Sequence, residues 1–397
     1  MDPPGYPKSN AGDFMSTRAK YLQNVLYAVL YWIALLLISG DVFITFLKDP
    51  GMNGYVRAQF DEMVNGIAYK PYVTRALVPD VVHFIVHALP ENFRRKVNDY
   101  IVEYVNDIPQ DVRNAIDRTK NPGMKNHSDF VTLWWDILAM YAIACALLYA
   151  FLLGFHFAIR YLFGSFFTGP RWFIDAVGLG AIALLPPFFV YYNYLYDIPT
   201  LFFFTLLLAL MARRKWIPFL VVFLFACWNK ETTILLTMVF ALGFWGRREE
   251  IGRKAYGLLL SAQFLIYAVV RGLLAIRFWN NPGGVIEYHF VDHTLTLILL
   301  QLYSFGDIFV VLGMFLLLAY RWAEKPRFLK IALSMAVPLL LMATFFGFLD
   351  EYRAFYELYP VVVCLAAHTI GSILDLPLVP LSPAPMAVIG PSRSNRA

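Results

Sequence analysis

The stretch Tyr191–Thr200 reads YYNYLYDIPT, and it interrupts an apolar run from Trp172 to Met211. A soluble domain would carry such tyrosines and an aspartate in a surface loop. Here there is hardly room for one, because the flanking segments are almost wholly apolar. Asn193 and Asp197 therefore sit at a membrane depth where polar side chains are costly unless they line a water-accessible cavity or are enclosed by protein.

The composition supports that reading. Hydrophobic residues make up 59% of the chain and charged residues 15%, which argues against a soluble domain. Apolar stretches recur at roughly 22–46, 131–159, 172–193, 197–212, 216–229, 231–246, 255–276, 295–320, 329–348 and 354–373. They are too long and too uniformly apolar for barrel strands, which alternate. The predicted fold is all-α: a polytopic transmembrane bundle of about ten helices, with amphipathic helices in a long first outer loop. Residues 21–373 form one transmembrane domain in this reading. Residues 1–20 and 374–397, rich in Pro, Ser, Gly and Asn, read as disordered tails.

Orientation follows from the short loops. Ala212–Trp216 (ARRKW), Gly246–Lys254 (GRREEIGRK) and Tyr320–Lys330 (YRWAEKPRFLK) are rich in Lys and Arg, and the alternate turns are not. The basic set is expected to face the cytoplasm, and an even number of spans puts both termini there. The first span reads as a signal anchor and not a cleaved peptide. The net charge of +5 is accounted for largely by these loops and gives no reason to invoke nucleic acid. Cys145, Cys227 and Cys364 lie in apolar runs without metal or redox spacing.

Between the first two spans, residues 48–130 form the large outer loop. Within it Leu77–Leu89 and Asn92–Ile108 have apolar residues at helical spacing, and a shorter helix is predicted over Gln110–Thr119. The polar outer ends converge on one face. They supply Asp41 after the first span, Tyr72 and Arg75 in the loop, and Tyr192, Asn193 and Asp197 in the quoted stretch. Lys230 and Glu231 come from WNKET, His289 from WNNPGGVIEYH, and Glu351 and Arg353 from the turn before the last span. The spans beginning at Ile198, Ile217 and Thr232 are short, so their outer turns are expected below the membrane surface, around a pocket open to the outside.

Each residue has a structural reading beside the functional one. Asp41 can end a helix, Asp197 can be an N-cap, Arg75 can pair with Asp80, Lys230 with Glu231, and Arg353 with Glu357 at i,i+4. His83 and His87 share a helix face, but neither they nor the Glu287–His289 pair has an evident third ligand, so no metal site is assigned. There is no Walker motif, GxGxxG or nucleophile elbow.

This layout resembles the GT-C superfamily of polytopic glycosyltransferases, which use polyprenyl-phosphate-linked sugars. The resemblance is carried by SGDVF at Asp41, PYVTRALVP in the first loop, the YNYLYDIP turn, WNKET and DEYRAFYELYP, and covers residues 22–373. It looks closest to small bacterial members. Here Asp41 is followed by Val42, where many members carry a second acid; Asp61 and Glu62 are the nearest acidic pair. The resemblance implies an inverting transfer in the plasma (inner) membrane, on its non-cytoplasmic face. The sugar passes from a polyprenyl-phosphate donor to a glycan, lipid or protein acceptor. Asp41 is the implied base, and Arg75, Lys230 and Arg353 hold the phosphate. Asp197, Glu231 and Tyr192 orient sugar hydroxyls. Read from the residues themselves, Tyr72, Tyr192, Tyr196, Trp228 and Trp279 at the outer ends can stack on sugar rings. No cofactor is implied beyond a divalent metal that some relatives need. Two other classes fit the same polar face: a transporter or flippase of a lipid-linked sugar, and a non-catalytic membrane assembly partner.

Overall fold

A computed structural model of the chain describes residues 11–48, 52–90, 92, 127–189, 192–284, 286–300 and 305–381. The predicted helices over 92–108 and 110–119 fall outside them, except for residue 92. The described chain is built almost entirely of helices: α1 (Ala11–Lys48), α2 (Phe60–Val64), α3 (Leu77–Ala88), α4 (His127–Phe163), α5 (Arg171–Ala183), α6 (Asp197–Ala212), α7 (Trp216–Asn229), α8 (Ile234–Phe244), α9 (Arg253–Arg277), α10 (Phe305–Ala319), α11 (Arg327–Ala332), α12 (Ala336–Phe346) and α13 (Tyr359–Ile373).

Five segments are long and apolar enough to cross a membrane: Ala19–Lys48, Ala139–Phe163, Arg171–Phe188, Arg253–Arg277 and Arg327–Phe346. They mark an integral membrane protein. The other apolar helices are shorter; α6 has 16 residues and α7 has 14, below the length of a full crossing.

Several predicted spans are divided for identifiable reasons. The run 172–193 stops being α-helical at Ala183, just before Pro186 and Pro187, which cannot continue the hydrogen-bond ladder. The run 329–348 is split by a 3₁₀ turn at Leu333–Met335, upstream of Pro338. The run 295–320 is not one helix either: a π-helical turn at Phe290–Leu295 and a short helix at Thr296–Leu299 precede α10.

Both predicted tails carry structure near the bundle. The first helix begins at Ala11, well inside residues 1–20. After α13, Val379–Pro380 (β2) pairs antiparallel with Phe167–Thr168 (β1). Leu378 drops onto Gly371, where a Cβ would come within 2.4 Å of its side chain and force that side chain to shift.

The principal helix pair is α4 with α6. Its close approach depends on Gly154: a Cβ there would lie 2.9 Å from the Phe202 ring. Phe155, Phe204, Leu207 and Leu208 fill the space around this crossing and are buried. In contrast α9 and α10 keep large apolar side chains exposed, among them Leu258, Leu265, Ile276, Phe309 and Phe315, which suits contact with lipid.

The connections gather into two sets. At one end, Asn53 N–H donates to Asn193 O (2.6 Å), Arg57 pairs with Glu287 (2.7 Å), Lys70 Nζ donates to Trp279 O (3.0 Å), and Lys230 pairs with Glu357 (2.8 Å). At the other, Arg213 Nε donates to Ser165 Oγ (2.8 Å), Arg214 pairs with Glu250 (2.5 Å), and Phe166 stacks on Phe328. The first set is rich in acids and aromatics and the second in arginine.

Candidate functional site

The site lies at the first of these ends. The turn Lys230–Thr233 joins α7 to α8 and lies outside both helices. Its two charged residues do not pair with each other. Glu231 receives Arg75 from the long loop, with Nη2 at 2.5 Å and Nε at 3.1 Å from its two oxygens. Lys230 turns the other way, to Glu357 Oε1 at 2.8 Å, which also accepts Thr232 Oγ1 at 2.5 Å. Arg75 is not bound to Asp80. That acid pairs with Arg277 and accepts Trp228 Nε1 at 3.0 Å. Nor does Arg353 pair with Glu357. It binds Glu351 and stands 3.6 Å from Asp197 Oδ2.

Asp197 is buried and is not an N-cap: Tyr196 holds that position, and the Asp197 carboxylate accepts the Tyr194 amide at 2.9 Å. Arg271, from α9, brings a fourth cation to 3.7 Å from Glu231 and is anchored by Thr74 O at 2.9 Å. The result is a buried to half-buried charge cluster, hereafter the crevice, in which Arg75, Lys230, Arg271 and Arg353 meet Asp197, Glu231, Glu351 and Glu357.

Tyrosines connect the two arginine centres. Tyr194 and Tyr196 stack with centroids 5.2 Å apart; the Arg353 guanidinium lies 4.2 Å from the Tyr194 centroid and that of Arg75 lies 4.4 Å from the Tyr196 centroid. Arg75 Nη1 also donates to Tyr196 Oη at 2.5 Å. Tyr72 stacks on the outer side of Tyr194 at 5.5 Å. These are cation–π and stacking geometries in a desolvated place, where both gain strength.

Electrostatics fix the protonation states. Burial pushes the Glu231 carboxyl upward, but Arg75 beside it outweighs burial and holds it down at about 2. Burial works against the charge on Arg75 and Arg353, and the carboxylates of Glu231 and Glu351 keep both guanidiniums well above their ordinary value. Burial raises the phenols of Tyr72, Tyr194 and Tyr196, which stay neutral donors. The crevice can bind an oxyanion if the anion takes the place of an internal carboxylate at an arginine.

The remaining predicted residues stand apart from this cluster. Asp41 lies within α1, exposed, on a face shared with the exposed Leu37 and Ile44; among the described residues its carboxylate has no hydrogen bond or ion pair. Asn193 is fully buried and gives its amide to Phe46 O at 2.9 Å, so it acts as a scaffold tie. His289 belongs to a neighbouring group, 3.5 Å from Glu287 and 3.1 Å from Asp292. Tyr192 is exposed at the rim and touches Tyr55. Among the described residues no set of three or more His, Cys, Asp or Glu is arranged to hold a metal.

Reading by spans undervalued Tyr194, Glu357 and Arg271. The first two share segments with the chosen residues, and their acid or aromatic character was the available signal. Arg271 sits in a helix whose register alone could not aim it. A second polar group was missed entirely. In the other half of the bundle, Asp175 of α5 is buried, pairs with Arg160 of α4 and accepts Tyr27 Oη of α1 at 2.6 Å. Arg160 Nη1 donates to Tyr31 Oη at 2.8 Å, and that hydroxyl meets His156 Nε2 at 2.5 Å.

A scan of protein-family models, a search of curated proteins and a search of solved structures return no match to this chain.

Proposed function

We propose that the chain is a polytopic membrane glycosyltransferase of GT-C type, which moves a sugar from a polyprenyl-phosphate donor to an acceptor on the non-cytoplasmic face. The observation that carries this reading is the convergence of Arg75, Lys230 and Arg353, from three separate connections, on one tyrosine-lined crevice. A leaving lipid phosphate needs such charge, pre-placed in a desolvated site. The basic loops then face the cytoplasm, the crevice faces outward, and the chain crosses about ten times with both termini inside, the shorter helices completing their crossings through the sunken polar end.

Transfer needs a proton acceptor for the attacking hydroxyl. The resemblance puts Asp41 in this role; it stands apart from the cluster, and among the described residues its carboxylate, like that of Asp61, has no hydrogen bond or ion pair. Glu62 is the second candidate: one of its oxygens is buried without a partner, and burial, then Asp61, raises its carboxyl. In detergent with radiolabelled polyprenyl-phosphate sugars, Asp41→Asn abolishes consumption if Asp41 is the base. Loss in Glu62→Gln with retention in Asp41→Asn moves the role to the loop. Consumption in neither variant nor wild type, with native membrane lipids supplied as acceptors, contradicts the transferase reading.

One observation favours a second reading. The Asp175–Arg160–Tyr31–His156 group puts polar side chains in the half of the bundle away from the crevice, as a transporter of a lipid-linked sugar requires. Movement of a fluorescent polyprenyl-phosphate sugar across reconstituted vesicles, lost in Asp175→Asn, is the result that selects it.

A further inference from the structure

The tyrosines of the crevice continue outward. From Tyr196 and Tyr194, each 2% exposed, the contacts run to Tyr72, then Tyr55 at 5.6 Å, then Tyr192 at 5.8 Å from Tyr55 and 37% exposed. The buried arginines stand on the three inner rings: Arg353 on Tyr194, and Arg75 on Tyr196 and, at 5.8 Å, on Tyr72. The outer rings have different company: Arg57 lies two residues from Tyr55 and pairs with Glu287 at 2.7 Å, an exposed ion pair with hydrogen-bonding capacity left over. Tyr192 takes no part in the apolar core, whereas Tyr55 is half-buried and packs against it, so core packing leaves the Tyr192 ring alone unaccounted for.

We infer that the outer part of this ladder, Tyr55 and Tyr192, is a carbohydrate-binding platform, and that the acceptor is a glycan and not a peptide or a bare lipid. An aromatic face with polar groups at its edge matches the two aspects of a sugar ring, whose C–H face is apolar and whose hydroxyls lie around the rim. The inner end, with its charge, suits the phosphate of the donor. The outer end, with neutral rings and one compensated ion pair, suits a neutral saccharide arriving from solvent. Two subsites at the ends of one chain of ring contacts would place the acceptor's reacting hydroxyl toward the donor.

The proposal uses the transferase reading only to call the saccharide an acceptor; the platform itself can be tested without donor. Isothermal titration of the full-length protein in detergent with neutral linear hexasaccharides of gluco, manno and galacto configuration measures it directly. At least one is expected to bind, with affinity falling about tenfold or more in Tyr192→Ala and Tyr55→Ala. Tyr192→Phe, which keeps the ring, is expected to stay within about threefold. Melting temperatures of the variants near that of wild type exclude misfolding as the cause. No binding by any hexasaccharide, or binding indifferent to both tyrosines, overturns the platform. Transfer of label to a peptide or a sugar-free lipid overturns the acceptor class while leaving the transferase reading intact. Glycan binding without donor consumption keeps the platform and removes the transferase reading.

Discussion

At the scale of single residues, the crevice is a set of exchanges between charges that sequence spacing would pair locally. Lys230 and Glu231 are neighbours, yet each reaches a different segment. The Arg75–Glu231 pair has a testable pH signature. Its carboxyl is held at about 2, below its ordinary value of 4.5. A depressed folded-state value gives stability that is fully present above the unfolded value and is lost as pH falls through the folded one. Melting temperature for wild type relative to Glu231→Gln should therefore differ by a constant amount above about pH 5 and converge as pH falls toward 2. A difference that grows below pH 4 would contradict the assignment. Asn193 makes a different prediction, because its amide is spent on backbone. Asn193→Ala should cost about 1–3 kcal/mol of stability, read by thermal or denaturant unfolding. It should leave donor affinity of the folded protein unchanged.

At the scale of elements, the sequence was informative wherever apolar length and proline set the boundary. The spans 197–212 and 216–229 match α6 and α7 residue for residue, because Asp197 and Trp216 open them and basic or polar residues close them. The reading failed where a break has a tertiary cause. Pro338 signals the 3₁₀ turn at Leu333–Met335, but the strand at Val379–Pro380 has no such signal and exists only because Phe167–Thr168 is there to pair with it. Helix packing gives its own prediction. Gly154 admits Phe202 at the α4–α6 crossing, so Gly154→Val overpacks this close contact and should destabilise the bundle by about 1–3 kcal/mol. Gly180→Val, at a helical position with open space around it, is the control and should be close to neutral, since valine is a better helix former than glycine. Equal effects in the two variants would mean that the crossing is not a close one.

At the scale of the whole molecule, the sequence carried the asymmetry between the ends more clearly than the site. Basic loops alternate with acidic and aromatic ones, and the contacts of the folded chain gather them into the same two sets. The identity of the pairs was not legible, because residues more than a hundred positions apart, such as Arg75 and Glu231, meet only after the helices pack. Asp41 shows the limit from the other side: its place near the end of the first span was read correctly, but the helical register turns it toward the surface beside Leu37 and Ile44. If the two ends face opposite sides of a membrane, single cysteines at Asn281 and Glu249, introduced with the three native cysteines replaced, will label from opposite sides in intact cells. Labelling of both from one side would break the ten-crossing arrangement. The measurement that bears most directly on the central claim is transfer itself: consumption of radiolabelled polyprenyl-phosphate sugars by purified wild type and by Arg353→Ala, with native membrane extract as acceptor. The account predicts consumption by wild type that falls roughly 10²–10³-fold in the variant, the effect of removing a charge that stabilises the leaving phosphate. Consumption that is indifferent to Arg353, by a protein whose crevice is otherwise intact, would contradict it.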